Sequence, residues 1–243
     1  MNWQYGVTTC RQRLGTLLPD TLRSLAEAGF DRPRLFIDGC PSHEVPDPLK
    51  SLLITCRSPT VGAYGNWILA AWELYVRDPR AERYAIFQDD LVMCQGTRDY
   101  LERCEYPGRG YLNLFTFATN EHIIFGKPKG WHRSDQLGKG ALALVFDHLA
   151  MVTLLQQSHT VDKPQLPNGN QSIDGAVQHA LVAQAGFSEY VHCPSLAQHR
   201  GRETTIGEDF AGRRHPTGAR TAKTFPGEIA VPTCETIHKR GLD

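Results

Sequence analysis

Apolar and polar positions fall into alternating strand-like and helix-like stretches in the first part of the chain. Residues 4–9, Gln-Tyr-Gly-Val-Thr-Thr, read as a first strand. Across residues 14–28, Leu17, Leu18, Leu22 and Leu25 recur at the spacing of one helix face; Pro19 stands early and Gly29 follows as a C-cap. Residues 34–39 are a second strand ending in Asp38-Gly39, 41–48 a proline-rich loop, and 52–55 a short third strand. Gly62-Ala63-Tyr64-Gly65 reads as a flexible turn before a helix over 66–76. Tyr84 to Phe87 are continuously apolar, a buried strand that stops at Gln88. This order predicts an α/β fold: a mixed, mostly parallel central sheet with helices on both faces.

The second half is less regular. Residues 97–103 read as a short helix, 110–116 as an apolar, aromatic strand, 141–146 as a buried strand and 150–157 as a helix. Gly126, Gly130, Gly138 and Gly140 mark 126–140 as a mobile loop that contains Trp131 and His132. After a loop at 164–171, Ile173, Val177 and Leu181 share one face of a helix over 172–185, which Gly186 ends; 190–195 is a short strand. From Arg200 onward apolar periodicity fades while glycine, proline and arginine rise. The expected division is a domain over 1–207 and a C-terminal tail over 208–243, packed on the domain or partly disordered.

Composition narrows the classes. With 26 basic and 26 acidic residues the formal net charge is zero, so no global field draws the chain to nucleic acid or membrane. No apolar run approaches the roughly 20 residues that span a bilayer, and the N-terminus lacks the basic and apolar segments of a secretory signal. The seven cysteines form no CxxC pair, which points to reduced thiols in a cytoplasm rather than to a zinc site or a disulfide framework.

The candidate chemistry centres on Asp89 and Asp90. They follow the 84–87 strand, at the C-terminal sheet edge where open α/β folds place ligands. Adjacent carboxylates repel and need a compensating cation. A hard divalent ion such as Mg2+ or Mn2+ meets that need with oxygen ligands and leaves positions for phosphate oxygens. The plainer reading is a polar strand end that caps the following turn.

Further segments stand in a telling order around this pair: Val7-Thr8-Thr9-Cys10-Arg11, Ser24 to Phe30, Phe36-Ile37-Asp38-Gly39, Gly65-Asn66-Trp67, Phe87-Gln88-Asp89-Asp90, Gly140 to Phe146, Ile173-Asp174-Gly175-Ala176-Val177, and Pro194 to Gly201. In that order, over residues 5–207, they resemble the GT-A-fold glycosyltransferases, enzymes that use nucleotide-sugar donors. The chain departs from the signature Asp-x-Asp, which here reads Gln88-Asp89-Asp90.

The resemblance implies a GT-A (Rossmann-like) sheet. It also implies transfer of a sugar from a nucleotide-sugar, a UDP-sugar, to an acceptor hydroxyl with inversion. It assigns Mn2+ or Mg2+ to Asp90 and His199, with Asp89 on the ribose or reaching the ion through water. Thr8, Thr9 and Arg11 would touch the nucleotide, Arg11 at its diphosphate. Asp38 would read the base or ribose, and Asn66 would either contact the base or cap its helix, capping being the simpler role. Asp174 is implied as the catalytic base, with Asp135 as the fallback, and Gly140 leaves room for the donor sugar. Each has a structural alternative: an N-cap for Asp174, a turn aspartate for Asp38, a solvated side chain for Arg11, a surface histidine for His199.

The acceptor stays open. Between 198 and 225, Arg200, Arg202, Arg213, Arg214, Arg220 and Lys223 outnumber Glu203, Glu208 and Asp209. A basic face there suits the donor diphosphate or a polyanionic acceptor such as DNA with hydroxymethylated bases; a solvated tail is the plainer account. A non-catalytic nucleotide-sugar-binding module is the competing class. A nucleotidyltransferase would usually carry a glycine-rich, basic loop after the first strand, which Thr8-Thr9-Cys10-Arg11 is not.

Overall fold

The computed structural model describes residues 1–157, 172–200 and 221–233. β1 (Trp3–Cys10), β2 (Arg34–Asp38), β3 (Ile54–Arg57) and β4 (Arg83–Gln88) run parallel, in the order β3-β2-β1-β4. Parallel strands covered on both faces need continuous apolar runs, and Leu35, Phe36 and Ile37 on β2 and Ala85, Ile86 and Phe87 on β4 are fully buried. The direction changes beyond β4. Ala143–Asp147 (β8) lies antiparallel to β4, and Gly110–Asn113 (β6) antiparallel to β8. Ser188–Cys193 (β9) then runs parallel to β6, with Gly130–Arg133 (β7) antiparallel on the outer edge. Among the described residues these eight strands make one mixed, mostly parallel sheet.

Helices cover both faces. On one, α1 (Leu18–Glu27) and α3 (Thr97–Arg103) pack through Leu18, Leu25, Tyr100 and Leu101 onto Val7, Phe87 and Val145. On the other, α2 (Gly62–Arg77), α5 (His148–Gln156) and α6 (Ile173–Gln178) bury Trp67, Leu74, Met151, Leu154 and Val177 around Phe36, Tyr84 and Phe146. A single turn, α4 (Glu121–Ile124), precedes β7. Each buried Leu or Phe side chain contributes about 1.5–3 kcal/mol by removal from water, so the two cores fix the sheet whose edge carries the site.

Several boundaries differ from the sequence pattern, each for a physical reason. The first helix starts at Leu18 rather than at 14, because Pro19 is compatible only with a first turn. The third strand is Ile54–Arg57, set by its register with β2, Leu35 opposite Ile54 and Asp38 opposite Arg57. The strand expected over 110–116 leaves the sheet after Asn113, where the Leu114 carbonyl turns to accept from the amides of Leu196 and Ala197. The expected loop at 126–140 contains β7, and Trp131 and His132 sit in that strand, paired with β9. Past Gln178, α6 widens into a π-type turn over His179–Gln184. The loop at 164–171 lies outside the described residues.

Just past the carboxylate pair, Leu91–Met93 (β5) forms a separate two-stranded ladder with Ala197–His199 (β10). Part of the C-terminal segment packs beside it. Ala222 is 2 % exposed, and the Gln95 amide donates to the Glu228 carbonyl at 2.8 Å. Of the basic residues noted near the end, Arg202, Arg213, Arg214 and Arg220 lie outside the described residues. Among the described residues no helix is long and apolar enough to cross a membrane.

Candidate active site

β4 delivers Asp89 and Asp90 to the C-terminal edge of the sheet, both 3 % exposed. The turn that carries them is fixed from several sides. On α1, the Thr21 hydroxyl bridges the carbonyls of Asp89 (2.8 Å) and Leu91 (3.0 Å), and the Ser24 hydroxyl accepts from the Met93 amide (2.8 Å). The Arg200 amide donates to the Asp90 carbonyl at 2.7 Å. Gln88, which stands where the signature has its first acid, turns the other way: its side-chain amide donates to the Ala141 carbonyl at 2.9 Å. It fastens the neighbouring loop rather than adding a third charge.

Three groups meet the carboxylates. Thr9 donates its hydroxyl to Asp89 Oδ2 at 2.5 Å. Arg13 Nη1 lies 2.6 Å from Asp89 Oδ1 and 2.8 Å from Asp90 Oδ2, spanning the pair. His199 Nε2 approaches Asp90 Oδ2 at 3.2 Å. The β5–β10 register, with His199 opposite Leu91, brings that imidazole to the residue after Asp89. Asp90 Oδ1 is buried with no hydrogen-bond partner. Burial works against both charges. At Asp90 it is outweighed by the hydrogen bond and charge of His199 and then by Arg13, which hold this carboxyl below its ordinary value. At Asp89 burial prevails over Arg13, Asp90 adds its repulsion, and the carboxyl is pushed up. Arg13 is held firmly charged by both acids.

Arg13 is the site residue that the sequence pattern did not single out. Residues Arg11–Arg13 form one tight helical turn after β1. Arg11 leaves that turn toward Glu44, 2.6 Å away, with its side chain 58 % exposed, while Arg13 turns inward. The only available signal was a second arginine two residues past the first.

The donor set has the chemistry of a divalent-ion site. The orphaned, buried Asp90 Oδ1 is a hard oxygen in search of a partner, and His199 adds a ring nitrogen beside the same carboxylate. Carboxylate oxygen suits Mg2+ or Mn2+, and the ring nitrogen favours Mn2+, the softer of the two. Among the described residues no cluster of three acidic, histidine or cysteine side chains is arranged around one point. Asp90 and His199 are the two side chains there that could hold an ion, with Arg13 against the same carboxylate oxygen.

A second cluster lies across β4. Asp174 stands in the first turn of α6, but Ser172 is the N-cap of that helix, accepting from the Gly175 amide at 3.3 Å. Asp174 Oδ2 accepts from the Gly140 amide at 2.7 Å, and its Oδ1 from the Gly175 amide of its own first turn at 3.1 Å. Gly140 adopts φ +81°, and a Cβ there would stand 2.8 Å from the Phe115 ring, so close approach requires glycine. The same loop is tied below to Glu189, 1 % exposed, which accepts from Ser134 Oγ at 2.6 Å and from Asn113 Nδ2 at 3.1 Å; Asn113 Nδ2 also holds the Lys139 carbonyl at 2.9 Å. Burial pushes the Glu189 carboxyl up to about 7. Asp135 is closed within its own loop, 2.6 Å from Lys139 Nζ and 3.0 Å from the Leu137 amide. Trp131 rests edge-on against His192, ring centroids 4.9 Å apart, and pins β7.

The other nucleotide candidates lie at the ends of β1 and β2. Thr8 Oγ1 donates to the Phe87 carbonyl at 3.3 Å. Asp38 accepts from the amides of Val61 (2.8 Å) and Gly62 (3.0 Å) and from the Thr60 hydroxyl. The N-cap position of α2 is Val61, which has no side-chain oxygen, so Asp38 caps that helix from the neighbouring strand. That contact starts α2 at Gly62 and leaves Asn66 a full turn inside it. Asn66 is therefore not the cap: 2 % exposed, its side-chain amide bolts β1 to β2 through the carbonyls of Thr9 (3.3 Å) and Phe36 (2.9 Å). Beside Asp38, over the ends of β2 and β3, opens a cavity of about 540 Å³ lined by Cys40, Ser42, His43, Lys50, Cys56 and Ser58 among others.

No protein-family model matches the chain, and no curated protein matches it in sequence. Among solved structures it is similar to mannose-1-phosphate geranyltransferase from Thermus thermophilus, at 14% identity over 79% of this chain and 74% of that one, with a TM-score of 0.46. It is similar also to mouse xyloside xylosyltransferase 1, at 13% identity over 76% and 83% of the two chains and a TM-score of 0.42. A third likeness is to the glycosyltransferase GlyE of Streptococcus pneumoniae, at 10% identity over 78% of this chain and 45% of that one, TM-score 0.39. These likenesses carry no argument about the reaction, which rests on the residues described above.

Proposed function

We propose that this protein is a glycosyltransferase that moves a sugar from a UDP-sugar to an acceptor hydroxyl, with inversion, assisted by Mn2+ or Mg2+. The observation that carries the reading is Asp90: a buried carboxylate at the C-terminal sheet edge, flanked by His199 and Arg13, with one oxygen unpartnered.

Asp90 and His199 would hold the ion, which when bound neutralises charge on the departing diphosphate. Asp89, fixed by Thr9, faces the ribose side. The cavity by Asp38, with Arg11 and Glu44 near its rim, has the volume of a small-ligand site and takes the nucleoside. Asp174, steadied by the Gly140 amide, accepts the proton of the acceptor hydroxyl as its oxygen bonds to the anomeric carbon. The bond to the diphosphate oxygen breaks with its electron pair, and the diphosphate leaves on the opposite side.

Hydrolysis of a panel of nucleotide-sugars tests this, with Mn2+ and with Mn2+ plus EDTA. The expected result is turnover of at least one UDP-sugar that EDTA abolishes. Asp174→Asn should cut transfer by about 10²-fold or more while leaving donor affinity nearly unchanged. Binding without hydrolysis for every donor would leave a non-catalytic module as the better account, and absence of both would overturn the reading.

A further inference from the structure

Arg13 is more than a neighbour of the carboxylates. Two adjacent acids at 3 % exposure are costly to bury without compensation. Arg13 Nη1 answers both at once, 2.6 and 2.8 Å from one oxygen of each, with the Thr9 hydroxyl beside Asp89 and His199 beside Asp90. Arg13 reaches the pair from a short turn after β1 on a long side chain, whose several rotatable bonds allow the guanidinium to be re-aimed.

A divalent ion on Asp90 changes this balance. Two carboxylates already balance such an ion, so a guanidinium on the same pair becomes a surplus positive charge in a buried place. Arg13 and the ion therefore compete for Asp90. The conflict ends when a dianionic group arrives that takes the guanidinium as its partner, and a nucleoside diphosphate is such a group.

We propose that Arg13 is the resident counter-ion of the carboxylate pair and the element that couples ion binding to nucleotide binding. In the nucleotide-free protein it occupies the acids and weakens the ion's hold; the diphosphate draws it away, and the ion binds tightly only then. By linkage the ion strengthens nucleotide binding by the same factor. This inference rests on the ion-assisted reading above.

The test is Mn2+ titration by calorimetry, with and without UDP, on the wild-type protein and on Arg13→Gln. In the wild type, UDP should tighten Mn2+ binding by about tenfold or more. Arg13→Gln should bind Mn2+ alone about tenfold more tightly than the wild type, with the gap between the two states nearly closed. Mn2+ binding to Arg13→Gln that is unchanged or weaker, beside a wild type that does bind Mn2+ with UDP, overturns the coupling role and leaves the proposed function standing. A wild type that binds Mn2+ in neither state overturns both. Should Arg13→Gln fail to fold, Arg13→Lys serves: a shorter ammonium cannot span both acids, so the gap should narrow, and an unchanged gap contradicts the proposal.

Discussion

Glu189 shows how one buried group beneath the site shapes its response to pH. Burial first, then the nearby Asp135 and Asp174, raise its carboxyl from 4.5 to about 7, against the hydrogen bonds from Ser134 and Asn113. A carboxyl raised in the folded state contributes stability that is complete below its unfolded value and is lost as pH rises through the folded one. His192 acts in the opposite sense. Burial lowers it from 6.5 to about 4, so its contribution is complete above 6.5 and is lost as pH falls through 4. The Pro194 carbonyl, 2.6 Å from Nδ1, works against that shift without reversing it, and the Tyr100 hydroxyl lies 2.5 Å from Nε2. Between about pH 5 and 6.5 the two slopes oppose each other and the wild-type stability curve should be shallow. Glu189→Gln removes one of them. Its stability relative to the wild type, measured by urea unfolding, should rise from about pH 5 to 8 by up to about 3 kcal/mol; a difference independent of pH contradicts the assignment. At this scale the acid pair at the strand end was legible, because a carboxylate pair after an apolar run is a one-dimensional pattern, whereas His199 was singled out by the resemblance alone. Arg13 was not legible, since two arginines on one tight turn are told apart only by the direction each faces. The capping role expected of Asn66 fell to Asp38, which is remote from it in sequence.

Elements position the chemistry through contacts between segments far apart in the chain. The β5–β10 ladder sets His199 beside Asp90, and α6 holds the loop from 134 to 140 through Asp174 and Gly140. Gly138 lies at the heart of that second junction. It has φ +62°, and a Cβ there would stand 2.4 Å from Gln178 Cβ and 2.6 Å from the Asp174 carbonyl oxygen. Gly138→Ala should therefore push the loop off α6 and lower stability by about 1–3 kcal/mol, read by denaturant unfolding. It should slow transfer while sparing Mn2+ affinity, because the atoms a Cβ there would meet belong to Asp174 and Gln178 and not to the carboxylate pair. Unchanged stability and activity would mean the loop is not seated as described. The helix and strand identities here followed from periodicity, but boundaries moved where a partner intervened: Asp38 extended α2, and β9 drew residues 130–133 out of an expected loop into a strand.

For the whole molecule, a parallel half presents four strand ends at one edge, and an antiparallel half folds the candidate base back toward that edge. The first half was legible because β2 and β4 carry continuous apolar runs and because a helix follows β1 and β3. The second was less so because its pairings join residues such as Gly110 with Ser188, and Met93 with Ala197, that no local pattern relates. The account depends on this edge gathering an ion and a nucleotide through Asp90 and His199. Calorimetric titration of UDP into the wild-type protein and Asp90→Ala, each in Mn2+ and in EDTA, tests that most directly. The account predicts UDP binding to the wild type that needs Mn2+, and loss of the Mn2+-dependent part in Asp90→Ala; Mn2+-dependent binding that survives the substitution would contradict it.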